Sequence, residues 1–199
     1  MLAQTTLSRG QQIVLTRSDR AMEKAKVTLV SAENATSPSH KLHLRRIRES
    51  DHLPIVRVVD AWWGGRHVSH LLPKLFFEHF QDISTVVEND DLELVAFLVG
   101  FVSQSKPDVA YIHFVGVNPN YRKEGIAKEL YTQFFETVRA KGCTTVKLIT
   151  SPANKGSIAF HERMGFKALP GDQVVEGIPV ILNYDGSGNS RVSFSKEIQ

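Results

Sequence analysis

The residues best placed to do chemistry lie where a strand gives way to a helix, in the run Arg122-Lys123-Glu124-Gly125-Ile126-Ala127. Gly125 and Ala127 leave the backbone bare at the helix start. The first N–H groups of a helix have no partner inside it, and the positive end of the helix dipole adds to them. They converge on one point and can hold an anion, with phosphate the obvious guest. The run is neither Gly-x-x-x-x-Gly-Lys-Ser/Thr nor Gly-x-Gly-x-x-Gly, which sets aside two common phosphate loops. An ordinary strand-to-helix turn is the competing reading. Two histidines, His113 upstream and His161 downstream, add proton-transfer capacity. An unperturbed imidazole titrates near about 6.5, which suits general acid–base work close to neutral pH.

These residues need elements to position them. Tyr111 to Val117 is aromatic and β-branched and predicts a strand, stopped by the turn residues Asn118-Pro119-Asn120. Side chains alternate along a strand, so His113 shares a face with Tyr111, Val115 and Val117. Gly116 within this strand marks a bulge or a close backbone approach. Ile126, Leu130, Phe134 and Val138 fall on one face of a helix running from about Gly125 to Lys141. Thr144 to Thr150 is the next strand, and a strand–helix–strand crossover predicts a parallel pair. A loop at 152–156 leads to a short helix ending at Met164, with Gly165 as its C-cap.

Upstream, a first strand begins near Lys41, with Leu42 and Leu44 facing inward. Ser50 or Asp51 can cap the following helix, with Pro54 in its first turn. That helix ends at Trp62-Trp63-Gly64-Gly65, and a second helix is expected over His70 to Phe80. Ile83 to Val87 and Leu92 to Ser103 read as strands joined by an acidic turn, giving an antiparallel meander with the Tyr111 strand. Gly177 to Tyr184 and Arg191 to Ser195 read as a terminal hairpin. Residues 1–40 form an N-terminal extension that packs poorly. Its apolar runs at Ile13 to Leu15 and Val27 to Val30 are short, and Ser31 to His40 reads as a linker.

The bulk numbers agree with one domain of about 41–199 plus that extension. The 199 residues are 42% hydrophobic, enough for a core. A net charge of +3 is only mildly basic, and the one basic cluster, Arg45-Arg46-Ile47-Arg48, reads as a solvated strand end. No nucleic-acid partner is expected. The single Cys143 excludes an internal disulfide framework and a thiolate metal site, and no metal is expected. No run of 18 apolar residues predicts a membrane span. A cytoplasmic protein is the expectation, and a homodimer is allowed for.

Two stretches together resemble one family. Arg122 to Ala127 is similar to the Arg/Gln-x-x-Gly-x-Gly/Ala signature of the GCN5-related N-acetyltransferases. Asn154-Lys-Gly-Ser-Ile-Ala-Phe-His-Glu-Arg-Met-Gly-Phe166 is similar to that family's Asn-x-x-Ala/Ser-x-x-Phe-Tyr-x-x-x-Gly-Phe signature. Asn154, Ser157, Phe160, Gly165 and Phe166 match; His161 stands where Tyr is usual. The order of elements over residues 41–196 is also that family's. The resemblance implies an α/β (α+β) fold, with a mixed, mostly antiparallel central sheet of six to seven strands and about four helices.

It also implies acetyl-CoA as cosubstrate and a primary amine, on a small molecule or a protein, as acceptor. The loop backbone of Arg122, Lys123, Glu124, Gly125, Ile126 and Ala127 would hold the pyrophosphate. Val115 and Val117 would bond the pantetheine arm like an added strand, and the Val115 N–H would polarise the thioester carbonyl. Asn154, Ser157 and Phe160 would border the cofactor, although Asn154 also reads as a helix N-cap. His113 would be the general base acting through water, with a hydrogen-bonded core histidine as the plainer alternative. His161 stands where the family's Tyr often protonates the thiolate; it would do this when charged, or would simply hold the CoA sulfur by a hydrogen bond. The acceptor wall would draw on Trp62, Trp63, Arg66, Phe76, Phe77, Tyr111 and Tyr184, although core packing accounts for most of these aromatics. A non-catalytic acyl-CoA-binding regulatory module on the same fold is the alternative function.

Overall fold

The computed structural model describes residues 4–7, 11–16, 25–31 and 41–198. Strands β1 Gln4–Leu7, β2 Gln11–Thr16 and β3 Ala25–Ser31 open the chain. β4 His43–Arg46 is followed by helix α1 His52–Trp62 and, after a 3-10 turn at Ser69–Leu71, helix α2 Leu75–His79. Next come β5 Thr85–Glu88, β6 Leu94–Val102, β7 Val109–Val117 and helix α3 Ile126–Arg139. β8 Thr145–Thr150, helix α4 Lys155–Arg163 and β9 Lys167–Ala168 follow. β10 Gln173–Val175, β11 Ile178–Val180 and β12 Val192–Glu197 close the chain. Among the described residues from 41 on, this gives the mixed strands and four helices expected, with seven strands in the main sheet.

The chain divides into two compact units: Met1–Val99 with Val115–Leu130, and Gly100–Phe114 with Tyr131–Gln199. In the first, β1 to β6 pair in sequence order, and every pair from β1–β2 to β5–β6 is antiparallel. The runs around Ile13 and Val27, short as they are, therefore lie in paired strands, β2 and β3; residues 32–40 lie outside those described. α1 buries Ile55, Val59 and Trp62, one face at the helical spacing, and Trp62 packs against Phe97 of β6 with ring centroids 6.2 Å apart.

Asp51 does not cap α1 with its side chain. Its carboxylate accepts from the Arg48 N–H at 2.7 Å and takes both terminal nitrogens of Arg45, at 2.7 and 2.8 Å. Glu88 also binds Arg45, and Asp51 first, then Glu88, hold the guanidinium in its charged form. The basic cluster is thus partly a buried ion network, not a wholly solvated strand end. The expected helix over His70 to Phe80 is split, because Pro73 cannot donate to a preceding turn and disfavours helix in the residue before it.

In the second unit β8 pairs parallel with β7, Val109 to Tyr111 lying against Thr145 to Lys147, while β8 runs on to Thr150. β12 runs antiparallel to β8 over six residue pairs and also pairs with β9. The terminal hairpin differs from its expectation. β11 pairs with β10 in a separate two-stranded ribbon, and β12 enters the main sheet, with the Ile181–Arg191 bridge joining it to the chain just after β11. The exposed Val174 and Val175 belong to that ribbon.

Candidate functional site

In the first unit the loop after β7 is built as its residue types require. The Asn118 side chain accepts from the Asn120 N–H at 3.0 Å, and Pro119 opens a 3-10 turn to Tyr121. The chain then passes through Lys123 at φ 71° and Gly125 at φ 85°, both left-handed, before α3 begins. Glycine takes that conformation without strain; lysine does so at a cost. In the first turn of α3 the Glu129 N–H donates to the Gly125 carbonyl at 3.0 Å. The amides of Ile126 and Ala127 therefore sit at the open, positive end of a 14-residue helix. A Cβ on Gly125 would meet no atom within 4 Å, so the surface there is open.

The Arg122 side chain is engaged by two backbone carbonyls. Its Nη2 donates to the Trp62 carbonyl at the end of α1, and its Nε donates to the Val117 carbonyl at 3.2 Å. Lys123 and Glu124 are exposed. Gly116 marks close packing: a Cβ there would lie 2.4 Å from Cε1 of the fully buried Phe97. Of the residues read as acceptor wall, Trp62 and Phe77 are core side chains. Trp63 is half-buried, and its carbonyl accepts from the exposed Arg66 at 3.2 Å. Phe76 packs on Phe80 with centroids 5.3 Å apart.

In the second unit Tyr111 and His113 share the partly exposed face of β7, with Ala110 and Ile112 buried behind it. Val115 and Val117, in the first unit, are partly exposed in the same alternation. Tyr111 stacks on Phe101, centroids 5.3 Å apart and planes at 24°. Burial first, and then the Tyr184 hydroxyl to which it hydrogen-bonds, push its phenol well above the usual range. Tyr111 and Tyr184 are thus brought together, beside the Arg191–Asp185 ion pair at 2.7 Å.

α4 carries the other motif. The Asn154 side chain accepts from the Ser157 N–H at 3.2 Å, so Asn154 is the N-cap. Gly165 at φ 82° ends the helix as expected, and the Phe166 N–H returns to the His161 carbonyl at 3.0 Å. His161 lies 5% exposed among Phe160, Phe166 and Phe194. Its Nε2 is 2.8 Å from the Tyr131 hydroxyl and its Nδ1 is 3.4 Å from the Ser157 hydroxyl. Burial, with the cost of placing a cation in apolar surroundings, lowers its pKa to about 4. The imidazole is therefore neutral at physiological pH: it can hold hydrogen bonds but has no imidazolium proton to give. Burial likewise raises the Tyr131 phenol.

Tyr131 is the residue that reading the sequence missed. It belongs to a second stripe on α3, Tyr131 and Phe135 beside Leu130 and Phe134, and all four are buried. The spacing was visible; what paired with the hydroxyl was not. Among the described residues no group of three His, Cys, Asp or Glu side chains converges as metal ligands, and no helix is long and apolar enough to cross a membrane.

This loop-and-cap arrangement belongs to a known class. The acetyltransferase (GNAT) family model matches residues 54–166, more than half of the chain, and the chain is a member of that family. An uncharacterized N-acetyltransferase of Methanocaldococcus jannaschii is 36% identical over 72 residues, 36% of this chain and 30% of that protein. The L-2,4-diaminobutyric acid acetyltransferase of Nocardia farcinica is 32% identical over 77 residues, 39% of this chain and 40% of that protein. The chain thus spans well under half the length of these two curated relatives. A solved diaminobutyrate acetyltransferase from Paenibacillus lautus, in complex with its substrate L-2,4-diaminobutyric acid and coenzyme A, superposes with a TM-score of 0.60. That match covers 80% of this chain and 96% of the other at 19% identity, a likeness of fold.

Proposed function

We propose that this chain is an acetyl-CoA-dependent N-acetyltransferase that acts on a primary amine. The observation that carries the reading is the loop from Arg122 to Ala127. Two left-handed residues, Lys123 and the bare Gly125, turn the backbone so that the start of α3 faces an open surface. A pyrophosphate is the anion that amides at a helix start suit. The cosubstrate's pyrophosphate lies there, with the backbone of Arg122 to Ala127 around it. In the first unit Val115 and Val117 bond the pantetheine arm; in the second, Asn154, Ser157 and Phe160 are the proposed cofactor residues.

Acetyl transfer needs a neutral amine, a polarised carbonyl and a leaving sulfur. His113 takes the proton from the acceptor ammonium through water. The amine nitrogen attacks the thioester carbonyl carbon, and the oxyanion is met by the Val115 N–H. The C–S bond breaks, giving the acetamide and the CoA thiolate. The attacking nitrogen sheds its second proton as the acetamide forms, and that proton balances the one the CoA sulfur gains, while the first, taken by His113, passes to solvent. His161, neutral in its aromatic box, offers hydrogen bonding on α4 but no full proton at neutral pH.

The acceptor is a small amine or a protein amine. The diaminobutyrate acetyltransferases among the relatives favour a small one. Tyr111 and Tyr184 are the proposed acceptor residues of the second unit, and Trp63 and Arg66 those of the first. One feature supports the alternative of a non-catalytic acyl-CoA-binding module: the residue at the usual tyrosine position is a buried, neutral imidazole.

A thermal-shift series with acetyl-CoA and acetyl-pantetheine tests the cofactor reading. Acetyl-CoA raises Tm and acetyl-pantetheine, which lacks the pyrophosphate, does not. Equal shifts would sink the phosphate assignment. CoA release on a panel of amines then separates an enzyme from a binding module.

A further inference from the structure

We infer that Arg122 is a positioning residue that ties the phosphate loop to the turn at the end of α1, so that occupancy of the loop steadies the acceptor side. The inference rests on the proposed function for what the two ends bind, and on the two hydrogen bonds of Arg122 for the tie itself.

The guanidinium is shared between two backbone carbonyls far apart in sequence. Trp62 is the last residue of α1, and its carbonyl is among the four that a helix leaves without an internal donor. Val117 is the last residue of β7, immediately before the loop. Arg122 Nη2 donates to the first and Nε to the second, so one planar group fixes three segments at once. A cation at a helix C-terminus is also favoured by the dipole. Both acceptors are neutral, so the pairing leaves the guanidinium's positive charge uncancelled next to the loop.

The turn held in this way is a unit. The Gly64 N–H bonds the Ala61 carbonyl at 3.0 Å and the Gly65 N–H bonds the Asp60 carbonyl at 2.9 Å. Both glycines are left-handed, at φ 70° and 80°. The Asp60 carboxylate accepts from the Val68 and Ser69 amides, each at 2.8 Å, and Arg66 closes back on Trp63. Displacing the Trp62 carbonyl therefore displaces the whole segment from Trp63 to Ser69. An anion bound at the loop amides draws on the same field as the guanidinium and stiffens the side chain that spans to α1. A lysine cannot replace it, since one ammonium does not reproduce the fixed fork of two donors.

Amide hydrogen exchange on the full chain, with Arg122→Gln and Arg122→Lys, tests this, read at Trp63, Gly64 and Gly65. Without ligand, those amides should exchange about tenfold faster in Arg122→Gln, the loss of one charge-assisted hydrogen bond. Arg122→Lys should fall between. In the unsubstituted protein, saturating acetyl-CoA should slow the same amides, and in Arg122→Gln it should not. Turnover should show a raised acceptor KM, with the acetyl-CoA Kd changed by less than about threefold. Unchanged exchange in the ligand-free Arg122→Gln protein overturns the inference. So does an equal response to acetyl-CoA in both proteins, or a large loss of acetyl-CoA affinity with the turn undisturbed, which would make Arg122 a phosphate ligand. If the unsubstituted protein binds no acetyl-CoA at all, the proposed function fails, while the ligand-free comparison still decides the tie.

Discussion

Removing the titratable ring of His161 should flatten a large part of the protein's acid sensitivity. The ring is 5% exposed and faces Phe160, Phe166, Phe194 and the Tyr131 hydroxyl. Its folded-state pKa is lowered from 6.5 to about 4 by burial. Between those values the unfolded chain binds a proton that the folded chain does not. Stability therefore rises with pH across that window, and it is lost as pH falls from about 6.5 towards 4. A gap of about 2.5 units at 1.36 kcal/mol each gives about 3 kcal/mol, nearly all of it lost by pH 4. That is a large share of the roughly 5–15 kcal/mol a domain holds.

The assay is urea unfolding of the unsubstituted protein and of His161→Gln at pH 7, 5.5 and 4. Glutamine does not titrate and keeps a polar atom for Tyr131. Carboxylates such as Glu49 and Asp60, held below their usual range by Lys74 and by the Val68 amide, lose stability on acidification in both proteins and cancel in the difference. The unfolding free energy of the unsubstituted protein minus that of the variant should fall by about 3 kcal/mol from pH 7 to pH 4. A difference that stays flat, or an imidazole that titrates by NMR near its ordinary value, would refute the buried-neutral assignment. It would also return His161 to the list of groups able to protonate the CoA thiolate at neutral pH.

Two further outcomes are expected. His113→Ala should lower kcat at neutral pH by roughly 10²–10⁴-fold while the acetyl-CoA Kd, measured calorimetrically, stays within a few-fold; a fall of less than tenfold with the true acceptor would make His113 a structural residue. Gly116→Ala should cost about 1–3 kcal/mol, because its Cβ would lie 2.4 Å from a Phe97 ring that is fully buried and packed beside Trp62; an unchanged Tm would show that the ring can retreat.

What could be read from the sequence follows a physical division. Elements set by local periodicity and punctuation came through: the β7 strand, the α3 face, the N-cap at Asn154 and the left-handed Gly165. Those signals act within a turn or a pleat, so neighbouring residue types suffice to reveal them. What failed to come through depends on partners distant in the chain. β12 meets the chain after β11 in the Ile181–Arg191 bridge, as a hairpin would, but its main pairing is with β8 and β9, which local residue types do not reveal. Arg122 sits in a phosphate-loop signature, yet its side chain is claimed by a carbonyl sixty residues earlier. His161 occupies a position where a catalytic acid is expected, and its chemistry is set by Tyr131, Phe166 and Phe194, all outside its own helix. A motif specifies where the backbone goes, because capping and positive φ are local demands. Whether a charged or titratable side chain on that backbone meets a ligand or the protein itself is decided by long-range packing, and in this chain Arg122 and His161 are both held by the protein.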